Sequence, residues 1–157
     1  MGKIFLFAAL VFSSGLLFVN IYTSLVDVPN WMHNIPASIQ AMRNYFIAAN
    51  PGTFFRIFSP ANQLLALLAL IFCWKYGWQI RIFCFIALLF AVGNDIFTFT
   101  FFYPRNNMLL HASLITDIDL LKKITHQWMI VNWIRSGTVL LNVITILLAI
   151  LAVFRRS

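Results

Sequence analysis

WIRSGTVLLNVITILLAILAVF, residues 133–154, is an almost unbroken apolar run in which the sole charge, Arg135, stands near the start. As a helix rising 1.5 Å per residue it reaches about 33 Å, enough to cross a hydrocarbon core roughly 30 Å thick. Working outward, the same pattern recurs at 4–26, 60–76 and 80–103, and the last run extends to 130–154. The chain therefore reads as an all-α membrane protein. We expect one membrane domain over 1–157, a four-transmembrane-helix bundle with both termini cytoplasmic and two long outer loops holding short helical segments.

Composition supports lipid as the solvent. Of 157 residues, 62% are hydrophobic, 17% aromatic and only 10% charged, and the mean hydropathy is +0.88. There is no glutamate; the acids are Asp27, Asp95, Asp117 and Asp119. The net charge of +7 and pI near 10.0 do not point to nucleic acid, because no exposed basic run exists to follow phosphates. The cations sit at the ends of the apolar runs, where anionic lipid headgroups are the natural partners. Lys3, Lys75, Arg81, Arg155 and Arg156 crowd short segments without an acid, which puts both termini and the 75–81 turn on the cytoplasmic side. The connections at 27–59 and 104–127 then face outward. Cys73 and Cys84 form no C-x-x-C pair and are expected as reduced, small apolar residues.

The outer segments carry structure of their own. Residues 37–49 place Ile39, Met42, Tyr45 and Phe46 at helical spacing, a short helix expected on the membrane surface. Asn50-Pro51 and Ser59-Pro60 are both helix-start signals, leaving two possible origins for the second span. Thr116 can cap a helix running unbroken from about Asp117 to Phe154.

Polar residues inside the spans point to a site. Asp95 lies about 12 Å below the outer end of the third span. Arg135 and Asn132 fall at similar depth in the fourth, Asn20 in the first, and Asn62 and Gln63 in the second. Ala91, Asp95, Thr98 and Phe102 share one helical seam, and Trp128, Asn132, Arg135, Thr138 and Asn142 share another. Ionisable groups in a membrane helix are expensive and turn inward to a partner. We expect a polar pocket within the bundle, open toward the outer loops, with Asp95 and Arg135 as its charged pair. The bland alternative is interhelical glue, since Asn and Thr often do no more than that in membrane helices. His33, His111 and His126 lack ligand spacing, so no metal is expected.

Three stretches together resemble the anthrone oxygenase-like integral membrane protein family of bacteria. They are Gly15…Asn20-x-Tyr22…Pro29, then Phe102-Tyr-Pro104-Arg-Asn106-Asn-Met-Leu109, and Trp128-x-x-x-Asn132-Trp-Ile-Arg135. The likeness follows the order helix, outer loop, helix pair, outer loop, helix across nearly the whole chain. Asn132, Trp133 and the longer, more aromatic outer loops depart from the family pattern. The resemblance implies a small bundle that oxidises anthrone-type polyketides with dioxygen and no cofactor. Asp95 would be the base, and Arg135, Asn106 and Asn132 would stabilise the oxyanion. Asn20, Asn62, Gln63, Thr98 and Trp128 complete the expected binding set for an aromatic or quinone-like small molecule. The competing class is a non-enzymatic membrane subunit, or a lipid-binding or interaction protein, in which Asp95 and Arg135 act as a staple.

Overall fold

A computed structural model describes residues 1–110 and 117–155. Four helices long and apolar enough to cross a membrane form the body: α1 (Gly2–Met32), α3 (Pro51–Tyr76), α4 (Trp78–Leu110) and α5 (Ile118–Phe154). The short α2 (Ala37–Tyr45) lies between the first two. The long helices pack in the cyclic order α1, α3, α4, α5, and each is antiparallel to both neighbours. We call the end holding Met1, the α3–α4 turn and Arg155 the base, and the opposite end the crown.

The helices reach further toward the crown than the apolar runs alone foretell. The second span starts at Pro51, where Asn50 forms a capping box with Thr53, and Pro60 is carried inside the helix. Asp117 caps α5, its Oδ1 accepting from the backbone N–H groups of Asp119 and Leu120. α5 then runs unbroken through 37 residues, as its pattern predicts. Thr116, His111 and Arg156 lie outside the described residues.

Two further extensions share one device. In α1 the segment Thr23–Asp27 widens into a π turn, with Pro29 two residues beyond it. In α4 Thr98–Phe102 does the same, with Pro104 two residues beyond. A proline ring collides with the carbonyl four residues earlier and lacks an N–H to bond it. The widened turn shifts that carbonyl, so the helix passes the proline where an end was expected. Threonine hydroxyls satisfy nearby carbonyls: Thr23 donates to Val19 O at 2.9 Å and Thr98 to Asn94 O at 2.9 Å.

Two apolar cores hold the bundle, one at each end. The base core joins Leu6, Ala9, Ala69, Cys73, Ile80, Cys84, Ala87, Ile146 and Ala149. Its small residues let the helices approach closely, the usual packing mode where lipid supplies no drive for association. Both cysteines are free and buried there. Gly2 is part of this approach, since a Cβ on it would lie 2.8 Å from Cys73 Sγ. The crown core joins Val28, Trp31, Ile39, Met42, Phe102, Leu109, Leu121, Ile124 and Trp128. α2 ends at Tyr45, short of the expected 49, and turns Ile39 and Met42 onto this core. Its apolar face is therefore covered by protein, because Trp31, Leu109 and Trp128 offer it a complementary surface. Arg43 fixes the arrangement by donating to Leu109 O at 2.7 Å and Met108 O at 3.3 Å, closing the open carbonyls at the end of α4.

At the base, Trp74–Tyr76 tightens into a 3-10 turn and Gly77 takes φ 111°, ψ 168°, a conformation almost restricted to glycine. Arg81 reinforces the turn through Nε to Trp74 O at 2.6 Å. Gly77→Ala should therefore destabilise the protein by about 1–3 kcal/mol, read as a lowered unfolding midpoint in detergent with the helical spectrum of the folded state unchanged.

Candidate intrabundle polar site

Between the two apolar cores lies a layer of polar side chains. Ser13, Asn20, Asn62, Asn132, Arg135 and Asn142 are all buried within it. Buried polar groups require partners, and here the partners come from neighbouring helices. Ser13 Oγ donates to Asn62 Oδ1 at 2.8 Å, joining α1 to α3. Asn142 Nδ2 donates to Ser13 Oγ at 3.2 Å, joining α5 to α1. Thr138 Oγ1 donates to Asn94 Oδ1 at 2.7 Å, joining α5 to α4.

Asn132 organises the crown side of the layer. Its amide donates to Asn20 O at 3.0 Å and to Ser24 Oγ at 2.7 Å. Its carbonyl oxygen accepts from Arg135 Nη2 at 2.6 Å. One side chain thus anchors α1 to α5 and orients the guanidinium. The three-residue spacing of Asn132 and Arg135 puts both on one face of α5.

Arg135 is only 5% exposed. Its guanidinium lies 4.0 Å from the ring centroid of Phe102 and 4.7 Å from that of Phe55. Such contacts are worth about 2 kcal/mol or more when desolvated, a useful offset for a cation so little exposed. Asp95 faces the same cavity from α4 but makes no direct ion pair with Arg135. Its Oδ2 accepts from Gln63 Nε2 at 2.5 Å, across the α3–α4 interface. The two charges are therefore neighbours across a gap rather than a closed staple.

That gap is a cavity of about 20 Å³. It is lined by Leu16 and Asn20 of α1, Phe55, Ser59 and Asn62 of α3, Ala91, Asn94, Asp95 and Thr98 of α4, and Arg135, Val139 and Asn142 of α5. The volume suits one water or one hydroxyl-sized group. Three of the lining residues carry a buried polar atom with no hydrogen-bond partner among the described residues: Arg135 Nε, Asn20 Oδ1 and Asn142 Oδ1. Arg135 Nη1 and Asn62 Nδ2 also make no hydrogen bond to a described residue, so the lining sets N–H donors beside the Asp95 carboxylate. It is chemically fitted to a group that both accepts and donates hydrogen bonds.

Of the residues expected at the site, Asn20, Asn62, Asp95, Thr98 and Arg135 line this cavity, while Gln63 and Asn132 support it through Asp95 and Arg135. Asn106 and Trp128 stand apart. Asn106 is eleven residues beyond Asp95, about 16 Å along the helix, and its Oδ1 accepts from Trp128 Nε1 at 2.8 Å. Trp128 packs edge-on to Phe102 and Trp31 within the crown core. They brace the roof of the site and do not reach the Asp95 carboxylate. Phe55 and Ser59 join the site without having been expected there, and Asn94 joins it beside Asp95, its neighbour in the sequence. Ser59 resembles a helix cap in sequence, and Phe55 is one of 17 phenylalanines, nothing in its spacing setting it apart from those that are exposed.

Asn132→Ala should cost about 1–3 kcal/mol by leaving the guanidinium donor and two α1 groups unsatisfied. Replacing Asn132 and Arg135 together by leucine should recover stability to within about 1 kcal/mol of the parent; a double-mutant cycle of detergent unfolding midpoints measures both. No family model, curated protein or solved structure matches the chain, so its chemistry is read from its own geometry.

Proposed function

We propose that the chain is an integral membrane protein of the anthrone oxygenase-like type. Its base faces the cytoplasm, its crown faces outward, and a bacterial inner membrane is its location. The intrabundle cavity takes the oxygen-bearing edge of an aromatic or quinone-like molecule. The observation carrying this reading is one small cavity lined by Asp95 together with Arg135, Asn20 and Asn142, each of the last three keeping a polar atom without a partner among the described residues. A phenolic or enolic hydroxyl matches this set, donating to a carbonyl or carboxylate oxygen and accepting from the guanidinium. A cavity of about 20 Å³ holds that group alone, so the ring system lies in the groove between α3 and α4 beside Phe55.

Cofactor-free oxygenation is the activity this arrangement favours. Asp95 takes a proton from the activated carbon of an anthrone, and Arg135 holds the resulting oxyanion. The electron-rich anion reduces dioxygen directly. One oxygen atom is retained as the new carbonyl, and the other leaves as water with the two hydrogens lost from carbon.

A second reading, a non-enzymatic membrane subunit or lipid-binding protein, draws on the cavity's small volume and on the cross-helix bonds of Ser13, Asn62, Asn132 and Thr138. In that case the polar layer serves only to set helix register. Native mass spectrometry with an absorption spectrum, on protein in mild detergent supplied with an anthrone, separates the two. We expect one bound aromatic per chain, oxidised in air, with binding or turnover lost in Asp95→Asn and Arg135→Leu. Unchanged binding and turnover in both variants would sink the oxygenase reading.

A further inference from the structure

Above the inner cavity the α3–α4 groove opens into a second space, of about 290 Å³. Asn50, Gly52 and Arg56 form its α3 wall, and Tyr103, Asn106 and Asn107 its α4 wall. Arg56 follows Phe55 of the inner site directly, so the two spaces are separated by about one helical turn. Arg56 is exposed and makes no hydrogen bond, ion pair or ring contact with a described residue. Asn106 has its carbonyl oxygen committed to Trp128 Nε1, which leaves its amide hydrogens as donors. Asn107 and the Tyr103 hydroxyl add further donors, and no carboxylate is among the lining residues.

We propose that this vestibule is a binding site for a phosphate-bearing anion, occupied by the headgroup of an anionic phospholipid. A guanidinium with several neutral donors matches the oxygens of a phosphodiester. The absence of a carboxylate from the lining denies a partner to a choline or ethanolamine ammonium, while the asparagine amides can pair with glycerol hydroxyls. Depth agrees with this occupant. α3 has 26 residues from Pro51 to Tyr76, about 39 Å of helix, so its first turns pass beyond the hydrocarbon core into the headgroup layer. Ile57 and Phe99, 63% and 60% exposed, continue the same two helices as apolar surface for acyl chains. The inference rests on the membrane-spanning reading of the helices and not on the chemistry of the inner cavity.

The test is native mass spectrometry of the full chain in mild detergent, titrated separately with phosphatidylglycerol, phosphatidylcholine and inorganic phosphate. Arg56→Gln, Arg56→Lys and, as a basic-residue control at the base, Arg81→Gln are compared with the parent. We expect one tightly held phosphatidylglycerol, bound about tenfold more weakly in Arg56→Gln, largely retained in Arg56→Lys and unchanged in Arg81→Gln. Displacement of the lipid by millimolar inorganic phosphate would support the anion site while assigning it to soluble phosphate. Equal binding of the two lipids, or an equal loss in Arg81→Gln, would overturn the proposal, since either marks unspecific surface attraction.

Discussion

A guanidinium buried among apolar helices must be satisfied from within the bundle, and the rest of this structure is arranged around that requirement. Arg135 is almost wholly removed from bulk solvent, and Asp95 does not close on it as an ion pair. Its charge is distributed instead among Asn132, the faces of Phe55 and Phe102, and the more distant carboxylate. Each of those groups needs support. Asn132 is held by α1, Phe102 by Trp128, and Asp95 by Gln63. All four long helices are thereby committed to one layer. A cation supported in this way keeps an N–H free to meet a ligand, which a tightly paired arginine would not.

The apolar cores decide how that layer can be reached. The base core closes the bundle axis on one side, and the crown core, with α2 folded onto it, closes it on the other. Asp95, Ser59 and Phe55 are only partly buried, and all three lie along the α3–α4 groove. Access is therefore from the side, through the same groove that holds the vestibule. This geometry suits a molecule that partitions into lipid better than one arriving from water. Pro60 stands within α3 next to Ser59, on the wall of that groove.

Much of this was legible in the residues. Apolar runs of helix length fix the number of spans, because hydrocarbon leaves no other way to satisfy the backbone. The shared depth of Asn20, Asn62, Asp95 and Arg135 foretold the layer, because helical rise converts residue number directly into height. Helix ends were harder to read. Pro29 and Pro104 resemble helix ends and Pro60 a helix start, and whether a helix absorbs a proline depends on neighbours that sequence spacing does not reveal. Asn106 was drawn to the site by the family motif and Trp128 by its shared helical seam, although their height along the helix puts them in the crown. Phe55 carried no signal, since an aromatic that stacks on a cation and one that faces lipid are the same letter.

The paired widened turns also constrain how this chain can change length. A π turn is in effect one residue added to an α-helix. Deleting a residue from Thr23–Asp27 or Thr98–Phe102 would restore regular helix and leave what lies beyond on nearly the same faces, because the wider turn absorbs the extra residue. Pro29 or Pro104 would then again meet the carbonyl four residues behind it. Proline and extra residue thus form a linked pair in each helix. Relatives lacking one should lack the other, and an alignment that places a gap in either segment should find the proline replaced.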